Sequence, residues 1–304
     1  MEESIYHQQA RLLLRILPIL DRYPVFALKG GTAINFFIRN MPRLSVDIDL
    51  TYIPIDDRAT ALDVIDGALN SLKADIERFI TKSVVMPKKV EGGVVALTIR
   101  TDGPVVKIEP NLVMRGTIFE PTTMPLTRRV QDAFGISVSA KVMAFADIYG
   151  GKVCAALDRQ HPRDLFDIKL LLENEGITDL TRKSFVVHLI SHNRPMVELL
   201  DPNFQNVEEV FRNEFEGMTF VKVSPEELEA ARTTLVKIIR ASLTDEERQF
   251  ILSVKKGYPD WDLPGLKGID LLPAVRWKLL SIARMDKKKH KRSLDKLEKC
   301  LELL

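Results

Sequence analysis

The chain has 304 residues, 45% of them apolar, and its 44 Lys plus Arg against 42 Asp plus Glu leave a net charge of +2. That is enough apolar material for a sizeable core in one large or two ordinary domains, and the near-neutral balance by itself favours no polyanionic partner. No apolar run reaches the ~18 residues of a membrane span, and Cys154 and Cys300 alone support neither a disulfide framework nor a thiolate metal site; a cytoplasmic location without membrane contact is expected.

Residues 4 to 22 carry helical spacing of Leu and Ile as far as Pro18, and Val25 to Leu28 follow as a short apolar strand. Gly30 and Gly31 end that strand. Thr32 to Ile38 reads as a short helix starting directly after the glycines, and Leu44 to Ile53 as a second strand. Residues 57 to 80 have helical periodicity, after which "GVVALTIR", a "TDG" turn and "VVKIEPNLV" predict a β-hairpin. From Ser139 to Glu175 the pattern is helical, broken around Gln160 to Pro162, and beyond about residue 190 it is helical throughout. Ser224 with Glu227 and Thr244 with Glu247 are two capping boxes there, the first followed by a proline at the opening helical position. The expected fold is α/β (α+β): a mixed sheet flanked by helices over residues 1–190, then a helical domain over 191–304.

Side chains on a strand alternate faces, so Asp47 and Asp49 leave one side while Val46, Ile48 and Leu50 anchor the other. Two adjacent carboxylates repel unless a cation lies between them, and Mg²⁺ is the usual hard, oxygen-seeking choice. Alone, an Asp-x-Asp is more common as a pair of surface aspartates on an edge strand. The glycines shift that balance, because a Gly-Gly turn running into a helix lets a phosphate approach backbone N–H groups. Glu109 shares a strand face with Lys107 and is a third candidate carboxylate, although Pro110 follows it and a structural salt bridge of Lys107 is as good an account.

"LKGGTAINFF" followed by "RLSVDIDL" resembles the nucleotidyltransferase signature, and "YGGKVCAALDRQHPRDLFDIKLLL" is similar to the second signature of the AbiEii-type nucleotidyltransferase toxins of bacterial abortive infection and toxin–antitoxin systems. "GIDLLPAVRWKLLSIARM" resembles that family's helical tail. The resemblance implies a nucleotidyltransferase fold and a Mg²⁺-dependent enzyme moving a nucleoside monophosphate from an NTP to an acceptor hydroxyl. It implies that Gly30, Gly31 and Thr32 hold the triphosphate, that Asp47 and Asp49 bind the metal, that Lys152 contacts phosphate, and that Asp164 is the acidic residue of the last motif. It implies tRNA 3′ ends as acceptor and a cognate antitoxin as partner; a protein or small-molecule acceptor stays open, as does a non-catalytic nucleic-acid or protein-binding module on the same scaffold. Lys152 and Arg159 lie seven residues apart and project from one helix face, as do Asp164 and Asp167. Apart from that resemblance, Lys152 reads equally as an exposed lysine and "RDLFD" as an acidic helix N-terminus.

The remaining features are weaker. His188 and His192 are four apart but no third ligand completes a metal site. Trp261 and Trp277 are expected in the core of the helical domain. The run from Arg284 to Lys296 holds seven Lys or Arg against two Asp and reads either as a nucleic-acid contact or as a solvated helix face.

Overall fold

A computed structural model describes residues 4–302. Helix α1 (Ile5–Leu20) opens with Ser4, whose hydroxyl accepts from the His7 N–H, and buries a stripe from Ala10 to Leu20. Strand β1 (Phe26–Lys29) leads into a helical turn, α2 (Gly30–Thr32), which continues as a π-helical stretch over Ala33–Ile38. Strand β2 (Asp47–Tyr52) returns antiparallel to β1, with Leu28 opposite Leu50 and Lys29 opposite Asp49. Next comes α3 (Arg58–Phe79), capped by Asp57 and burying Ala61, Ile65, Leu69, Leu72 and Ile76, a stripe at helical spacing. Strands β3 (Val84–Val90), β4 (Gly93–Arg100) and β5 (Val105–Asn111) follow, and β4 and β5 form the antiparallel hairpin that the sequence predicts. Strand β6 (Thr122–Pro125), helix α4 (Arg128–Phe134) and strand β7 (Ser139–Val142) complete a seven-stranded mixed sheet in the order β3-β4-β5-β2-β1-β7-β6.

Parallel pairing of β2 with β5 puts Ile48 beside Ile108, both fully buried, and Asp49 beside Glu109. This is the structural reason for the alternation: one sheet face is closed by apolar side chains while the other presents carboxylates. Both edges are proline-containing strands, with Pro87 in β3 and Pro125 in β6, positions where a missing ladder donor costs least.

The helical part begins with α5 (Phe145–Asp158), α6 (Pro162–Asn174) and α7 (Asp179–Ser191) and continues through α8 (Met196–Leu200), α9 (Glu208–Glu214), α10 (Pro225–Ser242), α11 (Asp245–Lys256), α12 (Pro273–Ala283) and α13 (Lys287–Glu302). Both predicted capping boxes are present, at Ser224 with Glu227 and at Thr244 with Glu247. Helices α5 and α7 approach closely because Gly150 and Gly151 lack side chains. A Cβ on Gly150 would overlap Ser184 Oγ and lie 2.8 Å from the Phe185 backbone N, and one on Gly151 would lie 3.2 Å from the His188 ring. A buried pair, Arg182 Nε to Glu247 Oε2 at 2.8 Å, ties α7 to α11.

Two compact units emerge: residues up to Ala144 with Gly217–Lys222, and Phe145–Glu216 with residues from Val223 on. The expected boundary at 190/191 is therefore replaced by one at 144/145, because α5, α6 and α7 pack with the later helices. The expected helical start at Ser139 also shifts. Residues 139–142 are a strand, Leu28 pairs with Val142, and the helix begins at Phe145. Trp261 is part-buried against Phe250, whereas Trp277 is 58% exposed and does not belong to the core where it was expected. No described helix is long and apolar enough to cross a membrane.

Candidate active site

The sequence-predicted residues fall into two groups, one in each unit. In the first unit the glycine pair is shaped by two different neighbours. Gly30 takes φ +68°, in the left-handed region, and a Cβ there would overlap Asp49 Oδ2 and sit 3.1 Å from the Asp49 Cβ. Gly31 faces the other way: a Cβ there would lie 2.8 Å from Arg43 Nη2 and 3.2 Å from Ser45 Oγ. Thus one missing side chain makes room for a carboxylate and the other for a guanidinium.

Thr32, by contrast, is 1% exposed. Its hydroxyl donates to the Asp47 carbonyl at 2.6 Å and lies 2.8 Å from Ser45 Oγ. Its side chain ties the helical turn to β2 and is not open to a phosphate. Asn35 reinforces the turn by donating to the Gly31 carbonyl at 2.9 Å. Asp47 and Asp49 are half-buried on the face opposite Ile48 and Leu50. Glu109 is exposed, and as the register partner of Asp49 it leaves the sheet on the same face.

Sequence reasoning passed over Arg43, which is 2% exposed and donates from Nη1 to the Leu44 carbonyl at 2.9 Å. Its loop is clamped by a segment far along the chain. The Leu44 N–H donates to Met218 O at 2.8 Å, the Phe220 N–H donates to Pro42 O at 2.9 Å, and Arg43 forms a backbone bridge with Thr219. The only signal of this in the sequence is a charged residue inside the mostly apolar "MPRLSV".

In the second unit Lys152 is 8% exposed and its ammonium lies 2.8 Å from Asp164 Oδ1 and 3.2 Å from Asp167 Oδ2. Arg159 Nη2 reaches the other Asp164 oxygen at 2.8 Å. Burial pushes the Asp164 carboxyl up, but the charges of Lys152 and Arg159 and the Lys152 hydrogen bond outweigh it and hold the group at about 2. Asp164 also lies in the first turn of α6, where the helix dipole favours an anion. His161 caps this helix, accepting at Nδ1 from the Arg163 N–H at 3.1 Å, with Nε2 3.1 Å from Glu214. Its burial lowers the imidazole pKa. Lys152 is therefore neither an exposed lysine nor poised in open solvent. Any phosphate contact it makes must be shared with two buried carboxylates.

Among the described residues no three His, Cys, Asp or Glu side chains have a metal-holding arrangement.

A match to the family described as "Nucleotidyl transferase AbiEii toxin, Type IV TA system" spans residues 11–279. The chain belongs to the AbiEii family. It is accordingly an enzyme of the nucleotidyltransferase toxin class. Among solved structures, the AbiEii chain is similar in fold to MenT4, a nucleotidyltransferase toxin from Mycobacterium tuberculosis H37Rv, with 16% identity, a TM-score of 0.61, and coverage of 96% of this chain and 93% of that one. Comparison with curated proteins gave no match.

Proposed function

We propose that this AbiEii chain transfers a nucleoside monophosphate from an NTP to an acceptor hydroxyl, with Asp47 and Asp49 at the centre of the site. The observation that carries the reading is that Gly30, in a conformation suited to glycine, is shaped around the Asp49 carboxylate at the end of the turn. The acceptor oxygen bonds to the α-phosphorus, the bond to the pyrophosphate oxygen breaks, and the hydroxyl proton passes to a base. Glu109, exposed on the Asp49 face of the adjoining strand, is the carboxylate best placed to accept that proton.

Two half-buried carboxylates on one face fit Mg²⁺, which is commonly bound through one or two carboxylates while keeping water and substrate phosphate as its other ligands. Bound there by Asp47 and Asp49, the ion would neutralise charge on the phosphates. Gly30 and Gly31 would let the triphosphate approach the backbone, and Lys152 and Asp164 keep the roles that the family resemblance gives them.

For the acceptor, the surface chemistry of the second unit supports a polyanion, and we propose RNA, with tRNA 3′ ends as the family expectation. On α12, Trp277 and Leu280 recur at helical spacing beside Arg276, with Arg284 at the helix C-cap, all exposed, and exposed Lys287, Lys288, Lys289, Lys291 and Arg292 follow on α13. Cations beside an exposed aromatic form the usual platform for a single-stranded nucleic acid. A cognate antitoxin is the protein partner that the Type IV family description supports; a cytoplasmic site of action accords with an RNA acceptor.

The test is incubation with each of the four α-labelled NTPs, Mg²⁺ and total cellular RNA. Label is expected in RNA, and Asp47→Asn or Asp49→Asn should cut incorporation by a factor on the order of 100 or more in protein that is still folded. Wild-type turnover in either variant would refute the assignment of the pair. Label on protein instead of RNA would move the acceptor to another class.

A further inference from the structure

The two glycines of the turn differ in what fills the space beside them, and that asymmetry has a functional meaning. On the Gly30 side lies the Asp49 carboxylate; on the Gly31 side lies the Arg43 guanidinium, with Nη2 2.8 Å from where a Cβ would stand. We propose that Arg43 is the fixed positive charge of the phosphate cradle, acting through Gly31 as a positioning residue. The inference rests on the nucleotidyl-transfer reading above and assigns polarity within that site: the cation-binding side is at Gly30 and Asp49, and the phosphate side is at Gly31 and Arg43.

Three features support it. First, Arg43 is 2% exposed. Burial holds the guanidinium in one place and keeps it out of bulk solvent, where its field on a neighbouring anion is stronger. Second, the fold commits a separate stretch, Gly217–Lys222, to that loop, with two backbone hydrogen bonds flanking Arg43 and a bridge at Arg43 itself. A surface arginine needs no such clamp. Third, the guanidinium fills the space a Gly31 side chain would take, with Nη2 2.8 Å from where the Cβ would stand, beside the turn that a phosphate would approach. In that position a charge is screened little by salt and attracts an anion through few intervening atoms.

Electrostatic positioning has a signature that mere bracing lacks: its effect grades with ligand charge. Removing the charge should weaken triphosphate binding far more than monophosphate binding, whereas loosening the loop should weaken both alike. Lysine should restore most of the charge effect despite its different shape, and a Cβ on Gly31 should mimic the loss by displacing the guanidinium.

The experiment is calorimetric titration of wild type, Arg43→Lys, Arg43→Met and Gly31→Ala with ATP, CTP, GTP and UTP, and with the monophosphate of whichever binds tightest. Arg43→Met is expected to weaken NTP binding by about 10- to 100-fold and NMP binding by about 3-fold or less, with Arg43→Lys within about 5-fold of wild type for both. Gly31→Ala should show a graded loss of at least that size, and in the Arg43→Met background a smaller one, the difference being the share that acts through the guanidinium. If Arg43→Met fails to fold, Arg43→Lys and Gly31→Ala carry the test by themselves. Equal losses for NTP and NMP, or an unchanged NTP affinity in Gly31→Ala, overturn the role of Arg43 and leave the nucleotidyl-transfer reading standing. Wild-type protein that binds none of the four NTPs overturns that reading, and the inference with it.

Discussion

Replacing Lys152 with Met keeps most of the side-chain volume and removes one charge from the buried cluster of the helical unit. Lys152 faces Asp164 and Asp167, which are 3% and 0% exposed. Breaking a buried pair by deleting one partner costs about 3 to 5 kcal/mol, chiefly because the remaining charge is stranded. Arg159 still reaches Asp164 but is itself largely exposed and screened, so it recovers little, and the expected loss is about 3 kcal/mol. For a unit of roughly 150 residues that is about 6 to 12 °C in melting temperature.

The pH dependence sharpens the test. In the wild type the Asp164 carboxyl is held at about 2, below its unfolded value, so its contribution is fully present above about pH 4 and is lost as pH falls towards 2. It adds no slope between pH 8 and pH 5. Without Lys152, burial dominates and the folded-state pKa rises, so the folded form binds more protons than the unfolded form and stability increases on acidification. Thermal denaturation of Lys152→Met and wild type at pH 8, 7, 6 and 5 should show a deficit that shrinks as pH falls. A wild-type melting temperature at pH 7, or a deficit independent of pH, would refute the reasoning. A corollary is that reduced NTP use in any Lys152 variant must be corrected for lost structure before it is credited to phosphate contact.

Gly150→Ala should destabilise by about 1 to 3 kcal/mol in urea denaturation, since the Cβ meets Ser184 and the Phe185 backbone; adding Ser184→Gly should recover only part, because the backbone contact remains. Neutralising Lys287, Lys288, Lys289 and Lys291 together should leave NTP affinity unchanged and flatten the plot of log RNA affinity against log salt by up to about 0.7 per lost contact on single strands, measured by filter binding at several salt concentrations. Trp277→Ala should weaken single-strand binding by about 1 to 3 kcal/mol with an unchanged salt slope, and equal binding by wild type and variant would remove the stacking platform.

What the sequence made legible follows its local periodicities. The alternation Asp47, Ile48, Asp49, Leu50 dictates two faces whatever the strand pairs with, and Gly30 marks a turn because a side chain is disfavoured there. Strand β3 went unread because, as an edge strand, it buries only Val85 and carries Pro87 and two lysines, so no apolar alternation marks it. β7 is too short for its period to stand out beside the long helical pattern that follows. Thr32 enters as a phosphate contact only through the family resemblance, and the bond of its hydroxyl to the Asp47 carbonyl depends on the return of β2, which no local pattern at Thr32 announces. Arg43 and Trp277 illustrate opposite limits of residue-type expectation: a charge buried by a clamp contributed from far along the chain, and an indole left outside the core. Burial of a single side chain is set by long-range packing, which no local pattern encodes.

The return of Gly217–Lys222 to the sheet-bearing unit bears on how the toxin comes to exist at all. A ribosome must have made residues through Lys222, nearly three quarters of the 304, before the loop carrying Arg43 acquires its backbone partners. A nascent chain that has already emerged with Gly30, Gly31, Asp47 and Asp49 thus still lacks the piece that fixes the neighbouring guanidinium. Prematurely terminated products ending before Gly217 would carry the carboxylates without that brace, which ties completion of the cradle to completion of most of the polypeptide.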